Sequence, residues 1–493
     1  GSYLFPTHVY NVCRFPNAAV AARYDCTTFW QPGGPDDRHY LHERPQLAFG
    51  GRSIFWSGLI PMPQPWELEF FPQRVRADLA GGCLDEAGRT MHESVSLGRT
   101  ARAIVEHLRA GPLAADFDIR ETPRALHQPY LQRDGQPAER WFVEPTGVFN
   151  TAELLINQLG LAPGPADADG PGLHLLLNHY VEDLRSPGGG PFEIVARHTL
   201  DGEARFFHAP TVVLAGGSIE SPKLLRRASL YGALPSSVRA LVGRGLTDHP
   251  TTDWLAAHAT SIGAVPITKQ DHAKIVFYSC GRRDAAGRIV YPFNLEMNVN
   301  HEYWHLRDND PDAPAGPGDS SSSLVELKFS FGNCLDDGNE VRAAAPYGYV
   351  PEVVFANLHW MDHLAAARLP ALAGWTHGYE EIWATLNHVA RLALAPFRDH
   401  GQPCRPVDGA WFGENFKDFG HGTVHHAVGT LRMPWRPRHD APFLSESVVD
   451  EDLRVVGTQR LYACDMSVLP FSTAANPARA LVALALRLAR HLG

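Results

Sequence analysis

Hydrophobic and polar positions along the chain fall into four readable stretches. Residues 172–214 alternate as a meander of short strands would: Leu173–Asn178, then Phe192–Arg197, then Ala204–His208, with Asp201-Gly202 as the turn between the last two. Thr211–Gly217 is a short apolar strand closed by glycines, and it runs straight into Ser218–Arg227, which reads as a helix start. Tyr379–Phe397 repeats Ile382, Leu386, Val389 and Leu392 at helical spacing. Gln459–Asp465 predicts a strand, and Ala478–Leu492 a helix bearing Leu481, Val482, Leu484, Leu486 and Leu488. Strand–turn–helix units at 211–227 and 461–492 predict an α/β layer with a ligand at its strand C-termini. The stretch 250–415 is richer in aromatic and alternating segments and predicts a separate antiparallel or mixed layer. Pro311–Ser323 cannot pack a core by composition, so it reads as a surface loop, either a lid or an insertion far from any site.

Composition narrows the class. The 493 residues are 44% hydrophobic and 20% charged, enough to bury a core without staples. A net charge of −10 with no basic stripe gives nucleic-acid binding no support. Arg479, Arg487 and Arg490 interrupt the most apolar C-terminal run, so it does not predict a membrane span. Gly1–Pro6 lacks the charged and apolar regions of a signal peptide. Seven scattered cysteines without a C-x-x-C argue against a disulfide framework or a zinc site. The expectation is a cytoplasmic protein that does not engage a membrane.

Four motifs carry candidate chemistry. Gly50–Gly58 clusters glycines that let backbone amides approach a phosphate or a flat ring, although an ordinary turn has the same pattern. Ala215–Pro222 puts glycines at a strand-to-helix turn, which suits a dinucleotide or mere packing. It does not make a hydrolase elbow, because Glu220 stands where G-x-S-x-G needs its last glycine. His425–Met433 offers a histidine with near-neutral pKa, the usual general base; in extended backbone only one of His425 and His426 faces a given pocket. Metal ligation by His421, His425 and His426 is the weaker reading, since Gly422 argues against a helix aligning His421 with His425. Ser472–Ala478 reads as a helix start, with Asn476 at the N-cap and Pro477 at the first helical position, and such an end suits an anionic partner.

Together these segments resemble the glucose–methanol–choline (GMC) family of flavin oxidoreductases. The most specific stretch is Asp452–Gly457, Leu461–Pro470 and Ala475-Asn476-Pro477 with its helix. His426–Thr430 is similar to the family's catalytic-histidine motif, and Val242–Pro250 and Ala215–Pro222 to two further signatures. The Ser53-x-x-Trp56 loop and the preceding Pro6–Asn11 resemble most the pyranose oxidase and bacterial glycoside oxidase branch. The resemblance implies an α/β + β fold in two domains. A discontinuous FAD-binding-type α/β domain would span 1–75, 145–250 and 420–493, and a substrate domain with an antiparallel or mixed sheet 76–144 and 251–419. It also implies roles: His426 as base and Asn476 as its partner; Pro477 and Ala478 near the flavin pyrimidine edge; Asp465 and Met466 along the ribityl chain. Gly50, Gly51, Ser53 and Trp56 would line the ring and pyrophosphate, and Val181 and Gly216 the adenine half. Phe55 stands where some relatives attach flavin through a histidine, so FAD is expected to be non-covalent.

One departure stands out. The family opens with a strand, G-x-G-x-x-G, a helix and an acidic residue, and the chain holds no such unit; Gly420–His425 comes nearest but ends in histidine. Another polypeptide could carry the unit, the sequence could be a truncation, or flavin could have been lost. The favoured expectation is an alcohol or sugar oxidoreductase whose FAD site is completed by another polypeptide segment, acting on a small-molecule alcohol, sugar or glycoside. The alternatives are a flavin-independent lyase or isomerase using His426, with His425 or Tyr462 assisting, and a non-catalytic subunit that stabilises a partner.

Overall fold

The computed structural model describes residues 31–32, 49–54, 56–94, 99–125, 149–152, 154–155, 173–186, 189–252, 254–269, 271, 273–285, 287, 289–300, 322–343, 351–354, 379–413, 426–436 and 441–493. The segments Pro6–Asn11, Pro311–Ser321 and Gly420–His425, together with Phe55, lie outside this set.

The 250–415 stretch, whose alternation predicts an antiparallel or mixed layer, supplies four strands of a five-stranded antiparallel sheet, and Phe117–Glu121 adds the fifth. Five strands lie in the order Phe117–Glu121, Ala273–Ser279, Phe293–Val299, Ser323–Phe331, Leu255–Ala259, every neighbour antiparallel. Period-two alternation divides each strand between two faces. Phe293, Leu295, Met297 and Val299 join Phe277, Leu327, Phe329 and Phe331 in one core, against the Tyr379–Leu394 helix with its buried Ile382, Leu386 and Val389. Asn294, Glu296 and Asn298 point to the opposite face and are nonetheless buried. A buried charge needs a partner: the Lys274 ammonium lies 3.0 Å from the Glu296 carboxylate. The helix stops at Leu394, ahead of Pro396, which cannot donate the next backbone hydrogen bond.

The α/β layer is narrower. Val212–Leu214 pairs in parallel with Leu461–Ala463, Val213 opposite Tyr462. The first strand leads into the helix Gly217–Arg227, with Gly216 as its N-cap, and the second is followed by a single 3₁₀ turn, Met466–Val468. Parallel neighbours far apart in sequence are what a crossover topology requires. A three-stranded antiparallel meander, His179–Arg185, Phe192–His198 and Ala204–Ala209, flanks the pair. The helix Ala478–Leu492 packs Ala483, Leu484 and Leu488 into a second core with Leu461, Ala463 and Leu214.

Two sequence expectations are corrected. The first meander strand is His179–Arg185, and Leu173–Asn178 precedes it as irregular chain and a turn. Leu173, Leu176 and Leu177 stand exposed there, so a run of leucines mimics a strand but, among the described residues, finds no apolar layer to cover it. Asn476 does not cap the last helix: the N-cap is Pro477, and the Leu481 N–H donates to the Pro477 carbonyl at 2.9 Å. Asn476 therefore sits one residue ahead of the N-cap, directly after the loop Thr473–Ala475.

Candidate active site

His426 enters beside the segment Thr247–Thr252. Thr247 and Val428 exchange both backbone hydrogen bonds, at 3.1 and 2.8 Å, which fixes the two segments in antiparallel register. That register brings the ring of His249 to His426: Nδ1 of His426 and Nε2 of His249 are 2.7 Å apart. The other nitrogen of His249, Nδ1, lies 3.1 Å from the carbonyl of Thr473. Thr251 bridges Ser330, so His249, two residues earlier, continues the polar face of the five-stranded sheet, where Glu296 and Lys328 lie. Burial pushes the His249 pKa down to about 4, with Lys328 adding and Glu296 opposing. Burial opposes the charge of Glu296 too, yet Lys274 and Lys328 hold it well below the usual carboxylate range.

The loop before Asn476 is held from three directions. The Thr473 carbonyl faces His249, the Thr473 hydroxyl donates to the Ala475 carbonyl at 2.5 Å, and the Ala475 N–H donates to Glu67 Oε1 at 3.0 Å. Glu67 sits in the short helix Pro65–Leu68, where its Oε2 accepts the Gln64 N–H at 2.6 Å, and it is fully buried. Burial raises its carboxyl to about 7, against the backbone N–H groups of Gln64, Ala475 and Ala474. His426 and Asn476, singled out separately in the sequence, are thus joined through His249, Thr473 and Ala475.

Beside His426, Ala427 lines a cavity of about 810 Å³. Seven of the ten residues expected at a flavin line it: Gly50, Gly51, Ser53, Val181, Gly216, Asp465 and Met466. Trp56, Pro477 and Ala478 do not; the Trp56 indole N–H donates to the Phe149 carbonyl at 2.6 Å, and the other two begin the last helix. Asp465 ties the layer together. Its Oδ2 accepts the Gly217 N–H at 2.9 Å and the Ser221 hydroxyl at 2.5 Å, and its Oδ1 accepts the Ser467 N–H at 2.8 Å. Ser53 closes its own turn by donating to the Gly50 carbonyl at 2.6 Å, and its hydroxyl accepts the Thr151 N–H at 2.9 Å. The glycines are needed for shape. Gly51 and Gly217 have φ of +54° and +85°, which disfavours any side chain, and a Cβ at either would meet no atom within 4 Å and project into open space. A cleft lined by glycines at a strand-to-helix turn has room for the close backbone approach that an extended group such as a dinucleotide needs.

Sequence reasoning missed three participants. His249 lies inside the Val242–Pro250 signature without a role of its own, and Glu67, with Glu69 two residues on, carries no local motif. Lys223 is buried on the cavity wall, paired with Glu220 and donating to the Tyr180 hydroxyl, and burial lowers its pKa. Tyr462 is buried in the second core with its ring 6.0 Å from that of His491. His421 and His425 fall outside the described residues.

The family model described as GMC oxidoreductase matches residues 371–485, a span that contains His426, Asp465 and Asn476. Among solved structures, pyridoxine 4-oxidase from Mesorbium loti superposes with a TM-score of 0.54 at 15% identity, covering 91% of this chain and 84% of that one. The chain therefore has a GMC oxidoreductase C-terminal segment on a fold shared with that enzyme. No curated protein matches the sequence. Among the described residues, no helix is long and apolar enough to cross a membrane.

Proposed function

We propose that this chain is the catalytic part of a flavin-dependent alcohol oxidoreductase acting on a sugar or glycoside hydroxyl. The observation that carries the reading is the juxtaposition of His426, linked through His249 and Thr473 to the Asn476 loop, with the glycine-lined cavity that begins at Ala427. Gly50, Gly51, Ser53, Val181, Gly216, Asp465 and Met466 would hold FAD non-covalently in that cavity, and by the family resemblance Pro477 and Ala478, outside that lining, would approach the pyrimidine edge and Trp56 the ring. FAD supplies the hydride acceptor when bound. His426 takes the proton of the substrate hydroxyl at its ring nitrogen, and the Asn476 side chain orients that hydroxyl. The match to the GMC oxidoreductase model supports alcohol oxidation, and the Ser53-x-x-Trp56 loop favours a sugar among alcohols.

The ADP-binding unit comes from another polypeptide segment in this reading. Two features support it: the chain has no G-x-G-x-x-G, and among the described residues Val212–Leu214 pairs only with Leu461–Ala463, leaving Val213 40% exposed beside the cavity. Hydrogen bonds from backbone to phosphate contribute roughly 1.5–3 kcal/mol each. Without about four of them, a loss of ~6 kcal/mol or more, a micromolar site does not persist. The test is turnover of the loaded enzyme on a panel of sugars and simple alcohols. His426→Ala should lower kcat/KM by ~10³-fold, and Asn476→Ala should lower it too. Full activity in His426→Ala would overturn the assignment.

A further inference from the structure

A histidine works as a base only through the nitrogen that carries a lone pair, and a neutral imidazole has one such nitrogen. The contacts around His249 decide which nitrogen that is in His426. The Thr473 carbonyl can only accept, so His249 must donate to it from Nδ1, at 3.1 Å. A neutral His249 then has its lone pair at Nε2. That atom faces His426 Nδ1 at 2.7 Å, so His426 must donate from Nδ1 and keeps its own lone pair at Nε2.

We propose that His249 is a positioning residue that holds His426 in the Nδ1–H tautomer and so makes His426 Nε2 the proton acceptor. The inference rests on the reading of His426 as the base.

Neutrality of His249 is a requirement of the device, and its surroundings supply it. The ring is buried, Lys328 of the strand Ser323–Phe331 faces it, and Glu296 of the strand Phe293–Val299 partly offsets that lysine. Asp248 accepts the His249 backbone N–H at 2.8 Å, and His426 is the titratable group in direct contact with the ring. Were His249 to charge, both its nitrogens would donate. His426 would then accept at Nδ1, and its proton would move to Nε2, removing the base without protonating it further. The low His249 pKa, about 4, keeps that state out of the neutral range.

The experiment reads the tautomer itself in spectra that need neither alcohol nor flavin, and turnover of the loaded enzyme beside them. The purified protein is labelled with heavy nitrogen at histidine, and long-range proton–nitrogen correlations are recorded near neutral pH, with His426→Gln identifying the His426 signals. The expected spectrum has a protonated Nδ1 and an unprotonated Nε2 at His426. His249→Leu should shift His426 to the Nε2–H form and lower kcat ~10²-fold with a smaller change in KM. His249→Gln, whose side-chain carbonyl can accept from His426, should restore the Nδ1–H form. An Nε2–H His426 in the unaltered protein, or an unchanged tautomer in His249→Leu, would overturn the inference. If His249→Leu fails to fold, the unaltered protein's spectrum still decides. Turnover surviving in His426→Ala would instead defeat the base assignment, whatever the tautomer.

Discussion

Glu67 shows how one residue ties stability to the site. It is the only acid from Ile60 to Leu68, fully buried, and it holds the Ala475 N–H that anchors the loop before Asn476. Its folded pKa, about 7, lies above the ordinary value of 4.5. Between those two values the folded chain binds more protons at this position than the unfolded one, so stability falls as pH rises through the window. Below 4.5 no penalty applies; above about 7 the full penalty does, on the order of 3 kcal/mol. Denaturant unfolding from pH 4 to 8 should show this decline in the unaltered protein, and Glu67→Gln should flatten it; an identical profile in the variant would exclude Glu67 as the source. His426 and Asn476 were legible in the sequence because each sits in a compact local motif. Glu67 and His249 were not, because their roles exist only through contacts 408 and 177 residues away.

The last helix marks where local signals succeed and where they stop. Its extent is read correctly from the leucine spacing, yet two of the arginines that interrupt its apolar run in the sequence are buried. Arg479 donates to the carbonyls of Leu84 and Ile60 and pairs with Glu93, while Arg487 pairs with Asp78 and Asp452. Sequence periodicity reads charge as exposure; only the fold reveals the partners. Arg479→Met should destabilise by ~3 kcal/mol, because Glu93 and two buried carbonyls lose their donor. A shift in the urea midpoint checks it. Gly429 makes the same point for the His426 segment. It has φ of +96°, and a Cβ there would collide with the Gly245 carbonyl and the Leu335 side chain. Gly429→Ala should therefore cost about 1–3 kcal/mol and lower turnover by displacing His426. The leucines of 173–177 fail as a strand signal for a related reason: alternation specifies burial only where another layer is present to bury against.

At the scale of the molecule, a five-stranded antiparallel sheet and a narrow parallel layer meet at one place. There the polar face of the sheet meets the His249–His426 pair and the Asn476 loop, and Ala427, next to His426, lines the cavity. Both layers were legible as classes, since aromatic alternation and strand–turn–helix units differ in period. Their meeting point was not, because it depends on long-range pairings such as Thr251 with Ser330. The central claim is that this meeting point is a redox site requiring FAD and completed by a further segment. Its most direct test is a visible absorption spectrum of the purified protein, recorded before and after anaerobic addition of candidate sugars, beside intact mass analysis of every polypeptide present. The account predicts flavin bands that bleach with a sugar or glycoside and accompany a second polypeptide. A protein with no flavin bands, no second polypeptide and no uptake of added FAD would contradict it.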